Sequence, residues 1–203
     1  MQNNQVQTVL KENIFTNNPI LIQVLGICST LAVTNSFKNT VIMCTGVTFV
    51  TALSNFTVSS IKFFIPKKVR MIVQTLIIAF YVIIVDIILK AYLPEVSSRL
   101  GPYVGLIITN CIIMGRAEAF AQSNAPFISF WDGFTAGIGY SLVLLMIASI
   151  REILGFGTIY GYKIMPDFFT NWTIMISAPS GFFLLALILW ISNYFKIKKE
   201  KNK

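Results

Sequence analysis

The sequence predicts an all-α integral membrane protein of six transmembrane helices, folded as two inverted three-helix repeats whose first helix is short or broken. Three observations predict it. Hydrophobic residues make up 55% of the 203-residue chain and charged ones only 12%, with a mean hydropathy of +0.73. Runs such as 71–85 (MIVQTLIIAFYVIIV) and 182–191 (FFLLALILWI) are apolar on nearly every face, whereas a helix of a soluble domain keeps one polar side. Finally, NPILIQVLGICSTLAVT (18–34) and GPYVGLIITNCIIMGRA (101–117) match at their landmarks. Pro19 precedes Cys28, and Pro102 precedes Cys111, by the same nine positions.

In chain order, a polar segment 1–18 comes first and is expected in the cytoplasm. It lacks the basic start, apolar core and small-residue cleavage pattern of a removable leader, so none is expected. The membrane domain, 19–195, holds spans near 19–35, 41–60, 69–91, 102–116, 131–150 and 178–195. Their breakers are Asn35-Ser36, Pro66, Pro94, Ser123-Asn124 with Pro126, and a polar stretch from Pro166 to Pro179. Repeat one is 19–92, repeat two is 102–195, and 196–203 forms a basic cytoplasmic tail. With the N-terminus inside, eleven Lys and Arg residues lie on the inner side. Five lie outside: Lys38, Lys90, Arg99, Arg151 and Lys163. That excess places both termini in the cytoplasm.

Three spans per repeat is an odd number, so the second copy enters from the opposite side of the membrane and the repeats are related by an in-plane axis. The first span of each copy is short. Residues 103–115 would give about 20 Å of helix, against a hydrocarbon core of about 30 Å. Gly26 and the pair Ser29-Thr30 interrupt the other copy. Nine residues of helix beyond each proline is about 13 Å, which puts Cys28 and Cys111 near the midplane. Short segments at corresponding places in two halves point to a site there.

The composition excludes several functions. The chain has no histidine, which removes the usual general base, proton relay and metal ligand of a self-contained hydrolase. The net charge of +8 sits in two clusters, Lys62, Lys67, Lys68 and Arg70 in one loop and five lysines in the tail. Membrane topology alone produces such clusters, and no nucleic-acid partner is expected. A lone membrane cysteine is usually a small buried hydrophobe, and Cys44 is read that way. The repeat-related spacing sets Cys28 and Cys111 apart. A midplane disulfide is one possibility, though such bonds favour oxidising compartments. Thiolate ligation of an iron–sulfur cluster, zinc or cuprous copper is the other. A 2Fe–2S cluster takes four thiolates. This chain offers two, so a second chain would have to complete the set.

Several stretches carry a family resemblance: NPILIQVLGICSTLAVT, TALSNFTVSSIKFFIP, VRMIVQTLIIAFYVIIVDIILKAYLP, VGLIITNCIIMGRAEAF and REILGFG. From Asn18 to about Trp190 the chain closely resembles the D-type membrane subunits of the bacterial sodium-translocating NADH:quinone oxidoreductases. The nearest confusable family is the related membrane subunit of the ferredoxin-coupled Rnf complex. That family typically has proline after the first cysteine, where this chain has Ser29.

The resemblance implies a component, without a catalytic centre of its own, of a sodium-transporting NADH:ubiquinone reductase in the bacterial inner membrane. It implies a homologous partner of opposite topology, the E-type membrane subunit, with which a 2Fe–2S cluster is shared through Cys28 and Cys111. It also implies NADH, FAD, FMN and riboflavin bound elsewhere in a complex of six proteins, the other four being the A-, B-, C- and F-type components, all within membrane lipid. Electrons would pass from NADH-derived FAD towards FMN. The absence of a GxGxxG between strand and helix agrees with that division. Cys44 carries no role in this reading, and the segment from Tyr160 to Ile176 looks shorter than the family pattern.

Charged residues in the apolar segments add further candidates. Asp86 has Lys90 at i,i+4 as a natural partner; cation handling is its sharper reading. Asp132, in FWDGF, reads as a charge at the start of helix five, with the same alternative. Arg116 and Glu118 read as the polar terminus of a half-length helix, with Arg116 also able to offset an anionic cluster. Arg151 and Glu152 form the analogous pair closing helix five. Gly26, Gly115, Gly137 and Gly139 read as close-packing positions. Two other classes compete with the relay: an inverted-repeat secondary transporter, and a scaffold with inert cysteines. Neither requires Cys28 and Cys111.

Overall fold

The computed structural model describes residues 25–34, 36–92, 101, 105–156, 158–159, 162–163 and 177–201. Among these the chain is helical, apart from turns and a two-residue antiparallel ladder between Thr158–Ile159 and Tyr162–Lys163. The helices are α1 (Ile27–Val33), α2 (Phe37–Ile61), α3 (Arg70–Tyr92), α4 (Cys111–Arg116), α5 (Pro126–Phe156) and α6 (Ala178–Lys201). A 3-10 turn, Lys67–Val69, leads into α3, and a π-helical turn, Ala117–Ala121, continues α4. Three helices are long and apolar enough to cross a membrane, over Phe37–Ile61, Lys67–Tyr92 and Pro126–Gly155. Within α6, Pro179–Tyr194 is a shorter apolar stretch.

Two boundaries differ from the sequence-based expectation. Pro126, read as a breaker, is the first residue of α5. A first-turn proline loses no intrahelical hydrogen bond, and its fixed φ suits the helix. Helix α6 runs on to Lys201 and takes in most of the basic tail. Lysines near a helix C-terminus are favoured by its dipole, so charge does not stop the helix.

The main packing is between α2 and α5. Small residues let their backbones close: a Cβ on Gly133 would lie 2.7 Å from the Thr51 carbonyl oxygen, and one on Gly137 2.8 Å from Thr48 Cα. This is the glycine-at-i,i+4 solution common between membrane helices. Val47 and Val50 of α2 are buried in one core with Tyr140, Leu144 and Ile147 of α5. The hydroxyls along α2 turn back on their own helix, Thr48 and Thr51 donating to the carbonyls of Cys44 and Val47 at 2.8 and 2.6 Å. That satisfies them without water. Helix α3 joins through Thr57 and Tyr81, whose hydroxyls are 2.7 Å apart. Its outer side exposes Met71, Leu76, Phe80, Ile83 and Ile87, a surface suited to lipid.

The shorter helices add to this pair. Helix α1 packs on α6, while α4 packs on α2 and, less extensively, on α3. At one end of the α2–α5 pair, Ser59 Oγ and Lys62 Nζ both donate to the Asn124 carbonyl, each at 2.7 Å, just before α5 begins. At the other end, Arg151 Nη1 donates to Thr34 Oγ1 at 2.5 Å. There the Phe37 amide donates to Glu152 Oε2, also at 2.5 Å, just where α2 begins. Each long helix therefore closes on the link leading into the other.

Candidate functional site

Helix α1 starts after Gly26, whose φ of +85° is left-handed and natural only to glycine. Ser29 Oγ and Thr30 Oγ1 both donate to the Gly26 carbonyl at 2.9 Å and tighten that turn. Cys28 is thus the second residue of a new helix. Helix α4 starts differently. Asn110 is extended and caps α4, its side chain accepting from the Ile112 amide at 3.3 Å. Cys111 is the first residue of that helix.

Here the structure corrects the expected geometry. Residues 105–108 are helical, but the helix breaks at Thr109-Asn110 and restarts at Cys111. Cys111 is therefore not nine residues into a continuous helix from Pro102, and the interruption falls before the cysteine rather than after it. The Asn110 side chain supplies the acceptor that a fresh helix N-terminus needs, which makes the break stable. Residues 19–24 and 102–104, on which the rest of that expectation rested, lie outside the described residues.

Both helix starts meet at one buried phenol. Tyr140 of α5 is wholly buried. Its hydroxyl is hydrogen-bonded to Ser29 Oγ and accepts from Asn110 Nδ2 at 3.4 Å. Its ring lies against Gly26, where an added Cβ would stand 2.7 Å from Cε2. A Cβ on Gly115 of α4 would come 3.1 Å from Leu25 Cδ1, beside the same turn. The neighbour of Cys28 and the neighbour of Cys111 thus share one oxygen atom. Both thiols are free and exposed, while Cys44 is free and buried, with its sulfur 4.0 Å from the Ser141 carbonyl oxygen. Among the described residues no group of three or more His, Cys, Asp or Glu comes together.

The charged candidates are paired in ways the sequence did not indicate. Arg116 is the last residue of α4 proper, but the chain stays helical beyond it through the π-helical turn to Ala121. Its guanidinium points inward onto Asp132, with Nε donating to Oδ2 at 3.0 Å and Nη2 bonded to Oδ1. Asp132 is fully buried and lies well inside α5. It is therefore not a charge at the helix start: beginning α5 at Pro126 moves it beyond the first turn. Glu118 reaches α3, where it pairs with Arg70 and accepts from Gln74 Nε2 at 2.8 Å. The expected Asp86–Lys90 pair is present at 2.6 Å. Arg151 and Glu152 lie short of the end of α5 and hold internal contacts, Arg151 also donating to the Ser177 carbonyl at 3.1 Å. Of the glycines, Gly26, Gly115 and Gly137 sit at close approaches, as does Gly133, which the sequence pattern did not single out.

Apolar helices of spanning length, and two short helices that start beside one buried node with an exposed thiol each, define a helical membrane protein. The chain belongs to the Rnf-Nqr family: residues 6–189 match the family described as "Rnf-Nqr subunit, membrane protein". It is similar to proteins named as the D subunit of Na(+)-translocating NADH-quinone reductase. The one from Psychromonas ingrahamii is 48% identical over 93% of this chain and 92% of its own length. That from Pseudoalteromonas atlantica is 47% identical over 98% and 97% respectively. The Chlamydia pneumoniae protein is 46% identical over 93% of both chains.

Proposed function

We propose that this chain is the membrane electron relay of a sodium-pumping NADH:quinone oxidoreductase, in which Cys28 and Cys111 provide two thiolates to a 2Fe–2S cluster shared with a homologous partner, the E-type membrane subunit. The observation that carries this reading is the convergence of both cysteine-bearing helix starts on Tyr140. The donor set fits such a group. Two free, exposed thiols at adjoining helix N-termini suit soft metal ligation and an anionic centre. The shortage of further ligands among the described residues suits sharing with a second chain. Such a cluster supplies one-electron transfer. This chain's part is to hold its two ligands in place and to bury the node behind them.

The architecture belonging to this proposal is six spans in two inverted repeats, in a bacterial inner membrane with both termini cytoplasmic. The reciprocal end contacts of α2 and α5 support an in-plane twofold relation. In this reading NADH, FAD, FMN and riboflavin are bound by other proteins of the complex, its A-, B-, C- and F-type components among them, and sodium export is coupled to electron flow from FAD towards FMN. Asp86 and Asp132 are the residues proposed for cation handling. The names of the similar proteins favour this complex over the Rnf complex.

The test is electron paramagnetic resonance of the purified, reduced complex, with iron analysis alongside. Wild type is expected to show a 2Fe–2S signal, and Cys28→Ala and Cys111→Ala each to lose it. Unchanged iron and an unchanged signal in both variants would instead favour the secondary-transporter reading, to which the thiols are incidental.

A further inference from the structure

We infer that Tyr140 is a positioning residue for the thiol pair: its hydroxyl ties the Gly26–Ser29 turn to the Asn110 cap and so fixes where Cys28 stands relative to Cys111. The inference rests on the proposed ligand role of the two cysteines, but its geometry is separate. Cys28 and Cys111 lie on different short helices, whose starts meet directly through an apolar approach, Gly115 against Leu25, that leaves the polar turns themselves to be tied by another group. Tyr140, from a third helix, engages the residue after Cys28 and the residue before Cys111. Ser29, Asn110 and Tyr140 are all buried, so no solvent competes for these bonds.

The positions also differ in how much freedom they leave. Ser29 Oγ has the Gly26 carbonyl as a second partner, and Asn110 Oδ1 has the Ile112 amide. Each turn is therefore held internally whether or not Tyr140 is present. What the phenol oxygen adds is the link between them. The ring itself fills the space over Gly26 that no side chain occupies. Tyr140→Phe keeps that packing and removes only the oxygen. The change therefore acts on the spacing of the two starts rather than on the fold of either. The sequence holds no sign of this, since Ser29 and Tyr140 are 111 positions apart.

The experiment compares wild type, Tyr140→Phe, Ser29→Ala and Tyr81→Phe in the full complex. Tyr81→Phe removes a comparable hydroxyl pair, to Thr57, elsewhere in the bundle. In iron-stripped complex, bifunctional maleimides of graded length are applied and the Cys28–Cys111 cross-link is quantified by mass spectrometry. Wild type and Tyr81→Phe are expected to favour one short linker. Tyr140→Phe and Ser29→Ala are expected to lose that preference, with a several-fold drop in yield. In the iron-loaded complex the same two variants are expected to show a broadened or shifted resonance at near-normal iron content. A cross-link profile equal to wild type in both variants overturns the inference, as does a wild type that cross-links at no length. If the wild-type complex carries no iron signal, the cluster proposal fails, yet the cross-link comparison still decides the role of Tyr140.

Discussion

Arg116 and Asp132 are the clearest case of a residue pair whose meaning lies in burial. The two side chains are 9% and 0% exposed and meet through two hydrogen bonds. Guanidinium and carboxylate in such a place are costly to desolvate, and their attraction only offsets that cost while both are present. Removing Arg116 alone, as Arg116→Met, is expected to destabilise the protein by about 3–5 kcal/mol, because a buried carboxylate is left behind. The double variant Arg116→Met/Asp132→Leu is expected to recover much of that loss. Thermal unfolding in detergent reads both, and a double variant no better than the single would refute the pairing argument. The sequence made Arg116, Glu118, Asp86 and Asp132 visible as charges among apolar residues. Only Asp86–Lys90 could be paired from it, because that pair is local at i,i+4. Arg116 with Asp132, and Glu118 with Arg70, bridge separate helices and depend on the packing.

At the level of elements, the α2–α5 crossing is set by two glycines. Gly137→Ala is expected to cost about 1–3 kcal/mol, since its Cβ would press on Thr48 backbone rather than on a side chain that can turn away. Gly46→Ala is the contrast: its nearest neighbour, Val85 Cγ1, is 3.8 Å away, and helix propensity favours alanine there by up to about 1 kcal/mol. Equal melting temperatures for the two variants would contradict this account of the crossing. Helices α2 and α3 are readable from sequence within a few residues, because apolar length alone defines them. The start of α5 is not, for a definite reason: proline both breaks helices and begins them, and only the continuing chain distinguishes the cases. The matched spacing singled out Cys28 and Cys111 but did not give the geometry of the helix starts that carry them. The break before Cys111 had one cue, an asparagine immediately ahead of the cysteine, a residue type suited to capping. Tyr140 had none.

For the whole molecule, the proposed orientation rests on the distribution of basic residues. Green fluorescent protein fused after Lys203 is expected to fluoresce, and alkaline phosphatase at the same place to stay inactive, because the first matures in the cytoplasm and the second outside it. The opposite pattern would invert the proposed topology, and with it the side from which each short helix approaches. The main core draws on both halves of the chain, Val47 and Ile78 sharing it with Ile112, Tyr140 and Leu185, beside a smaller cluster of Val58, Ala117 and Ala121.

That shared core imposes an order in time on the chain as it is made. Cys28 leaves the ribosome early, with its turn already held by Gly26, Ser29 and Thr30. The ring that covers the turn, and the arginine and glutamate that close the link behind it, arrive more than a hundred residues later. Until then the first thiol waits in the bilayer without its counterpart. On the proposed reading the ligand pair is complete only once the second half is made, so a truncated chain would offer no complete site.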